Sequence, residues 1–300
     1  MEMTKITDCV IGCASGYDWK QSQPWIKTLR DTGFDGDIII TGTNISKDTI
    51  DWYSDNDVAV HLYGKKEPDG SVKSDSSTPA HVERFFYIWN VLDKEKMQTN
   101  NYRFVLTTDV RDVVFQADPM KWMANKLGMH TMVASSEGMR YMNEPWGNNN
   151  LYQAMGPYFH QKMMKNMIYN VGVIGGYYED VRALCLMIYQ MSLGRPIPIV
   201  DQAVYNFLMT ELPYSRNTFF AENADCWAVN LGTTLGAVKS GHGELGQKYS
   251  GDLKKYEAMY EDIQPKIDAD GNVTLPDGKK FYIVHQWDRI PALKEKFGGK

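Results

Sequence analysis

Apolar positions in the first 120 residues form short continuous runs that alternate with stretches of helical spacing. Asp8–Cys13 is such a run and ends in Ala-Ser-Gly, which predicts a strand entering a tight turn. Trp25, Ile26 and Leu29 then recur at helical spacing until Thr32-Gly33, a stop signal. Asp37–Thr41 and Asp57–Leu62 read as two further buried strands, and residues 64–78 as a polar, turn-rich loop. Thr78-Pro79 opens a helix whose stripe is Phe85, Ile88, Trp89 and Leu92, and Tyr102–Thr107 is a fourth strand. Strands without in–out alternation, separated by helices, predict an α/β fold with a mostly parallel sheet covered on both faces.

The second half is less regular. His130–Ala134, Tyr169–Ile174 and Phe281–Val284 are strand-like, and residues 178–192 and 201–209 are helical. Residues 136–160, dense in Asn, Gly, Pro, Tyr and Trp, show no period and predict a long functional loop. Its aromatics Tyr141, Trp146, Tyr152 and Tyr158, with Asn148, Asn149 and Asn150, and more distantly Trp227 and Trp287, are candidates for the wall of a binding site. The other reading is a loop packed on its own rings. Without repeats or a low-complexity linker, residues 1–300 read as a single domain of two lobes.

Composition narrows the function. The 300 residues are 43% hydrophobic, enough for a sizeable core. Lys and Arg number 32 against 37 Asp and Glu, a net −5 spread without blocks, which argues against electrostatic binding to nucleic acid or an anionic membrane. No run approaches the ~18–20 apolar residues of a membrane span. Met1–Lys5 lacks a basic-then-apolar leader, and four scattered cysteines suit buried thiols better than disulfides. These features lead to the expectation of a cytoplasmic, untethered protein.

The densest chemistry follows the fourth strand. Asp109-Val-Arg111-Asp112 sets two carboxylates around a cation where open α/β sheets bind ligands, and a divalent metal ion would balance them. The competing reading is a structural turn, with Asp109 capping the next helix and Arg111 paired to Asp112. A dehalogenase loop does not fit, because Arg111 stands where its second carboxylate belongs. Gly241-His-Gly-Glu-Leu-Gly246 spells a dinucleotide fingerprint but follows no clear strand, and Gln247 stands where a P-loop needs lysine. His285 ends the last apolar run before a cationic tail that begins at Arg289; it is a third metal ligand or an ordinary core histidine. Asn170-Val-Gly172 with Gly175-Gly176 marks close approach of a ligand or a bulged core strand. Asp201-Gln202 opens a helix, where Asp201 is either an N-cap or a site residue.

In this order the motifs resemble the GT-A fold glycosyltransferases that use nucleotide-sugar donors. The resemblance is greatest to family-8-like members whose metal turn reads Asp-x-Arg-Asp-Val-x-Phe-Gln, as in Asp109–Gln116. It spans roughly residues 8–290 and implies a donor half over 1–118 and an acceptor half over 119–300. It implies that Ala14, Ser15, Gly16, Tyr17, Thr41 and Gly42 hold the nucleoside, and that Arg84, Arg111 and Arg289 face the nucleotide or its phosphates. Asp109, Asp112 and His285 would bind Mn2+ or Mg2+. Gly172, Gly175 and Gly176 would admit the sugar, and Asp201, Gln202 or Glu137 would face the reacting centre. A nucleoside-diphosphate sugar is the implied donor and a saccharide or glycan hydroxyl the acceptor. The usual motif has a carboxylate where Arg111 stands, so which aspartate touches the metal stays open. So do a catalytically lapsed sugar-binding protein and, on shared sheet topology, a sugar-nucleotide pyrophosphorylase.

Overall fold

The computed structural model describes residues 6–97 and 102–298. Seven strands form the central sheet: β1 (Thr7–Cys13), β2 (Asp37–Gly42), β3 (Ala59–Leu62), β4 (Tyr102–Thr108), and three others. The interposed strand β5 (Val113–Phe115) belongs to a smaller sheet, and the chain returns to the main one with β6 (Met132–Arg140), β7 (Met167–Tyr177) and β8 (Thr218–Ala221). The order is β8-β6-β7-β4-β1-β2-β3, parallel except that β7 runs against both its neighbours.

Alternate residues of β1 serve two apolar layers. Cys9 and Ile11 pack with Phe85, Ile88, Leu184 and Ile188 on one face. Val10 packs with Trp25, Leu29, Trp122 and Trp227 on the other, which is why the strand reads as a continuous apolar run. Helix α1 (Trp19–Asp31) starts at a capping box between Asp18 and Gln21. The loop over 64–78 holds a short antiparallel pairing of Lys65–Lys66 with Val72–Lys73.

Residues 136–160 are not a loop. They complete β6 and continue, after a four-residue link, into the helix Pro145–Met163, bent at Gly156 where φ is 78°. Its Gly, Asn and Pro content hides the helical period. Glu144 caps it, Pro145 occupies its first turn, and Leu151, Ala154 and Met155 bury in the core, so tertiary packing outweighs propensity.

A second sheet creates the site. β9 (Ala228–Asn230) pairs in parallel with β10 (Ile283–His285), and β10 runs antiparallel to β5. The register sets His285 opposite both Asn230 and Val113. The turn Asp109–Asp112 is therefore the crossing from the main sheet to the small one. Among the described residues no helix is long and apolar enough to cross a membrane. Met1–Lys5, on which the leader reading rests, lies outside them.

Candidate active site

Asp109, Asp112 and His285 converge, with one potential ligand atom from each lying within 4.8 Å of the others. His285 Nε2 is 3.4 Å from Asp109 Oδ2 and 3.8 Å from Asp112 Oδ1, and makes no hydrogen bond although it is buried. The opposite ring nitrogen explains the orientation. Asn230 donates from Nδ2 to the Ser136 carbonyl at 2.8 Å, so its Oδ1 faces His285 Nδ1 at 3.0 Å. A carbonyl oxygen only accepts, so Nδ1 carries the hydrogen, and Nε2 is the nitrogen turned to the carboxylates, where it offers a proton when the ring is charged and a lone pair when it is neutral.

That orphaned nitrogen between two carboxylates is a donor set suited to a divalent cation such as Mn2+. Electrostatics agree. Burial opposes a charged His285, yet the Asp109 and Asp112 carboxylates override it and hold its pKa above the usual value. Burial, with the charges of Asp109 and Asp288, pushes the Asp112 carboxyl up. Burial also acts against ionised Asp109, but Arg84 and His285 hold that carboxyl far below the usual range. The cluster draws positive charge.

Glycine at 172 is needed here for space. A Cβ would stand 2.6 Å from His285 Cε1 and 2.8 Å from Asp109 Oδ2. Gly175 and Gly176 are placed elsewhere. A Cβ at 175 would meet Trp227 and Met123 in the core, and one at 176 would collide with the Thr131 carbonyl just before the adjoining strand β6. These two glycines serve packing and lie away from the cleft.

Arg84 bonds Asp109 Oδ1 through one guanidinium nitrogen and Asp201 Oδ2, at 2.8 Å, through the other. Asp201 is not a cap: its helix (Asp201–Thr210) begins at Asp201 itself, with Val200 at the N-cap position. Gln202 Nε2 and Asn170 Nδ2 both donate to Glu137 Oε1, at 3.1 and 2.6 Å. Burial raises the Glu137 pKa despite these two amides. All of these groups line one cleft of about 400 Å3, within the usual size of small-molecule sites.

Arg289 also lines the cleft, with Nη2 4.0 Å from Asp112 Oδ2. Arg111 points the other way, half-exposed, to Asp288 at 4.0 Å rather than to Asp112. Nor does Asp109 cap the next helix; Asp118 does so for Pro119–Lys126. Ala14, Ser15, Gly16, Tyr17, Thr41 and Gly42 form a shelf at the ends of β1 and β2. Ala14 and Gly16 donate to the Thr41 and Thr43 carbonyls, and Ser15 Oγ accepts from Thr43 N at 3.1 Å. This shelf lies outside the walls of the cleft cavity. Of the aromatic candidates, Trp146 lines the cleft, while Tyr141, Trp227 and Trp287 are buried in apolar clusters.

Sequence reasoning missed Asn230, which orients His285, and His81, Glu144 and the helix start His242–Leu245, which line the cleft. The dinucleotide look-alike thus supplies a cleft wall instead: Gly241 and Gly243 adopt φ of 69° and 63°, open to glycine, and turn the chain there.

No family model matches the sequence, and no curated protein matches it. Solved structures do resemble it. One is the galactosyltransferase LgtC in complex with donor and acceptor sugar analogs, with a TM-score of 0.52 and 11% identity over 97% of this chain and 94% of that one. An active-site mutant of LgtC gives 0.52 and 12% over the same shares. The bifunctional glycosyltransferase WbbM, in its apo structure, gives 0.53 and 12% over all of this chain. The match takes in only 51% of WbbM. At such identities the likeness establishes the architecture: this chain has the GT-A fold found in glycosyltransferases.

Proposed function

We propose that this chain is a metal-dependent glycosyltransferase that moves a sugar from a nucleoside-diphosphate sugar to a hydroxyl of a saccharide or glycan. The observation that carries the proposal is the buried, unbonded Nε2 of His285 between two carboxylates at the wall of the cleft. LgtC and WbbM, whose fold this chain shares, are glycosyltransferases, which supports the reading.

Asp109, Asp112 and His285 would hold Mn2+ or Mg2+, which when bound offsets the charge that grows on a departing diphosphate. Arg289 adds a cation on the same wall for the phosphate oxygens, and the shelf at residues 14–17 and 41–42 is assigned to the nucleoside. Glu137, Asn170 and Gln202 present a hydrogen-bonded set that reads sugar hydroxyls. Arg84 is a positioning residue that ties Asp109 to Asp201.

Transfer with retention suits this arrangement, because Arg84 holds Asp201 Oδ2 at 2.8 Å and so turns that carboxylate to the ion pair rather than to an acceptor hydroxyl. The acceptor oxygen bonds to the anomeric carbon on the face that the diphosphate leaves. The bond from that carbon to the diphosphate oxygen breaks, its electron pair stays with the diphosphate, and the hydroxyl proton ends on the released phosphate. Residues 1–118 are assigned chiefly to the donor and 119–300 to the acceptor, with His285, Asn170 and Gln202 crossing back to the donor.

The test is turnover across a panel of nucleotide sugars, with EDTA and with Mn2+ restored. One donor is expected to react only with metal present, and Asp112→Ala to lose ~10²–10³ in rate. Turnover indifferent to EDTA, or none with any donor, would sink the proposal.

A further inference from the structure

A second cavity, of about 240 Å3, adjoins the cleft and shares Trp146, Ile199 and Glu244 with it. Trp146 stands between the two, with 37% of its surface exposed. Beyond it the walls are Asn149 and Gln153 on one side and Pro198 on the other. Gln153 Nε2 donates to Asn149 Oδ1 at 3.0 Å, one helical turn away, which sets two amides side by side on the exposed face. Asn150 Nδ2, bonded to the Ile199 carbonyl at 2.6 Å, ties the helix to the opposite wall, so the groove is built into the fold.

An aromatic face, adjacent amides and a carboxylate along an open groove suit a carbohydrate chain. Rings lie apolar-face down on indole, and amides and carboxylates read hydroxyl pairs. Glu244 is the one charged residue among those lining the outer cavity, so anionic groups are disfavoured there. We propose that this cavity is an outer subsite for an oligosaccharide acceptor. The acceptor is then a chain of at least two sugars, neutral or bearing an amine, that crosses Trp146 from groove to cleft. This rests on the acceptor reading of the cleft given above.

The test uses the full chain with Mn2+ and a nucleoside diphosphate. Saturation-transfer NMR titrations would follow methyl glycosides of one to four units in the α-1,4-glucose, β-1,4-glucose and β-1,4-N-acetylglucosamine series, with de-acetylated and uronic-acid-ended forms. In at least one series, affinity should rise ~10-fold from one unit to two or three, the gain of one well-placed aromatic contact, and then level off. Trp146→Ala should flatten that dependence, Glu244→Gln should narrow the discrimination against the uronic acid, and Lys162→Ala, on the same helix but bonded to Glu211, should leave both as they are. Affinity independent of length in every series, length dependence that survives Trp146→Ala, or no saccharide binding overturns the subsite. The failure of the enzymatic reading looks different. Saccharides would then bind through Trp146 with the expected length dependence, while nucleoside diphosphate binding is absent or indifferent to metal.

Discussion

Asn230 does no chemistry itself, but through one hydrogen bond it decides which nitrogen of His285 faces Asp109 and Asp112. Without that amide the ring is free to turn and to carry its hydrogen on Nε2, the wrong tautomer for a ligand. Asn230→Ala should therefore weaken Mn2+ binding by ~10–100-fold, measured by electron paramagnetic resonance titration, with little change in the circular dichroism spectrum. The two aspartates and the histidine were legible in the sequence because each ends or follows a strand. Asn230 was not, since nothing local in Ala228-Val-Asn marks its partner 55 positions away. Arg111 and Asp201 show the same limit. Their side chains select partners, Asp288 and Arg84, that only the folded chain brings near.

Among the elements, the helix over Pro145–Met163 is the clearest case of packing overruling local preference. Its start depends on Glu144, which accepts from the backbone N–H groups of Trp146, at 3.3 Å, and Gly147. Burial, reinforced by the charge of Glu137, lifts the Glu144 carboxyl to about 7. The folded protein thus holds this proton at pH values where the unfolded chain has released it, so stability falls as pH rises from about 4.5 to 7. Glu144→Gln keeps an acceptor at the cap and removes the titration. Relative to wild type it should gain stability across that window, approaching roughly 2–3 kcal/mol by pH 7.5, as read from urea unfolding at a series of pH values. A constant difference between the two proteins from pH 4.5 to 7.5 would remove Glu144 as the cause. On β7 the glycines divide by place: Gly172 clears the cluster of Asp109 and His285, while Gly175 and Gly176 allow close packing behind it.

At the level of the whole molecule, the proposed metal site joins the turn after β4 to β10, segments far apart in the chain and bound to two different sheets. A cation bound there favours the folded state alone, so Mn2+ at 100 times its dissociation constant should stabilise the protein by about 2.7 kcal/mol. A calorimetric scan should show the midpoint rising with Mn2+, falling back with EDTA, and not moving in Asp112→Asn. The alternation of buried strands and amphipathic helices, the order of the motifs and the carboxylate pair after the fourth strand were determined by the sequence alone. All of these are periodic or contiguous features, and local chemistry dictates them. The tertiary structure decided the rest: the small sheet that sets His285 beside the aspartates, the amide that orients it, and the helix and glycine turn that wall the cleft. Each depends on strand register and long-range burial, and neither is written in any one stretch of chain.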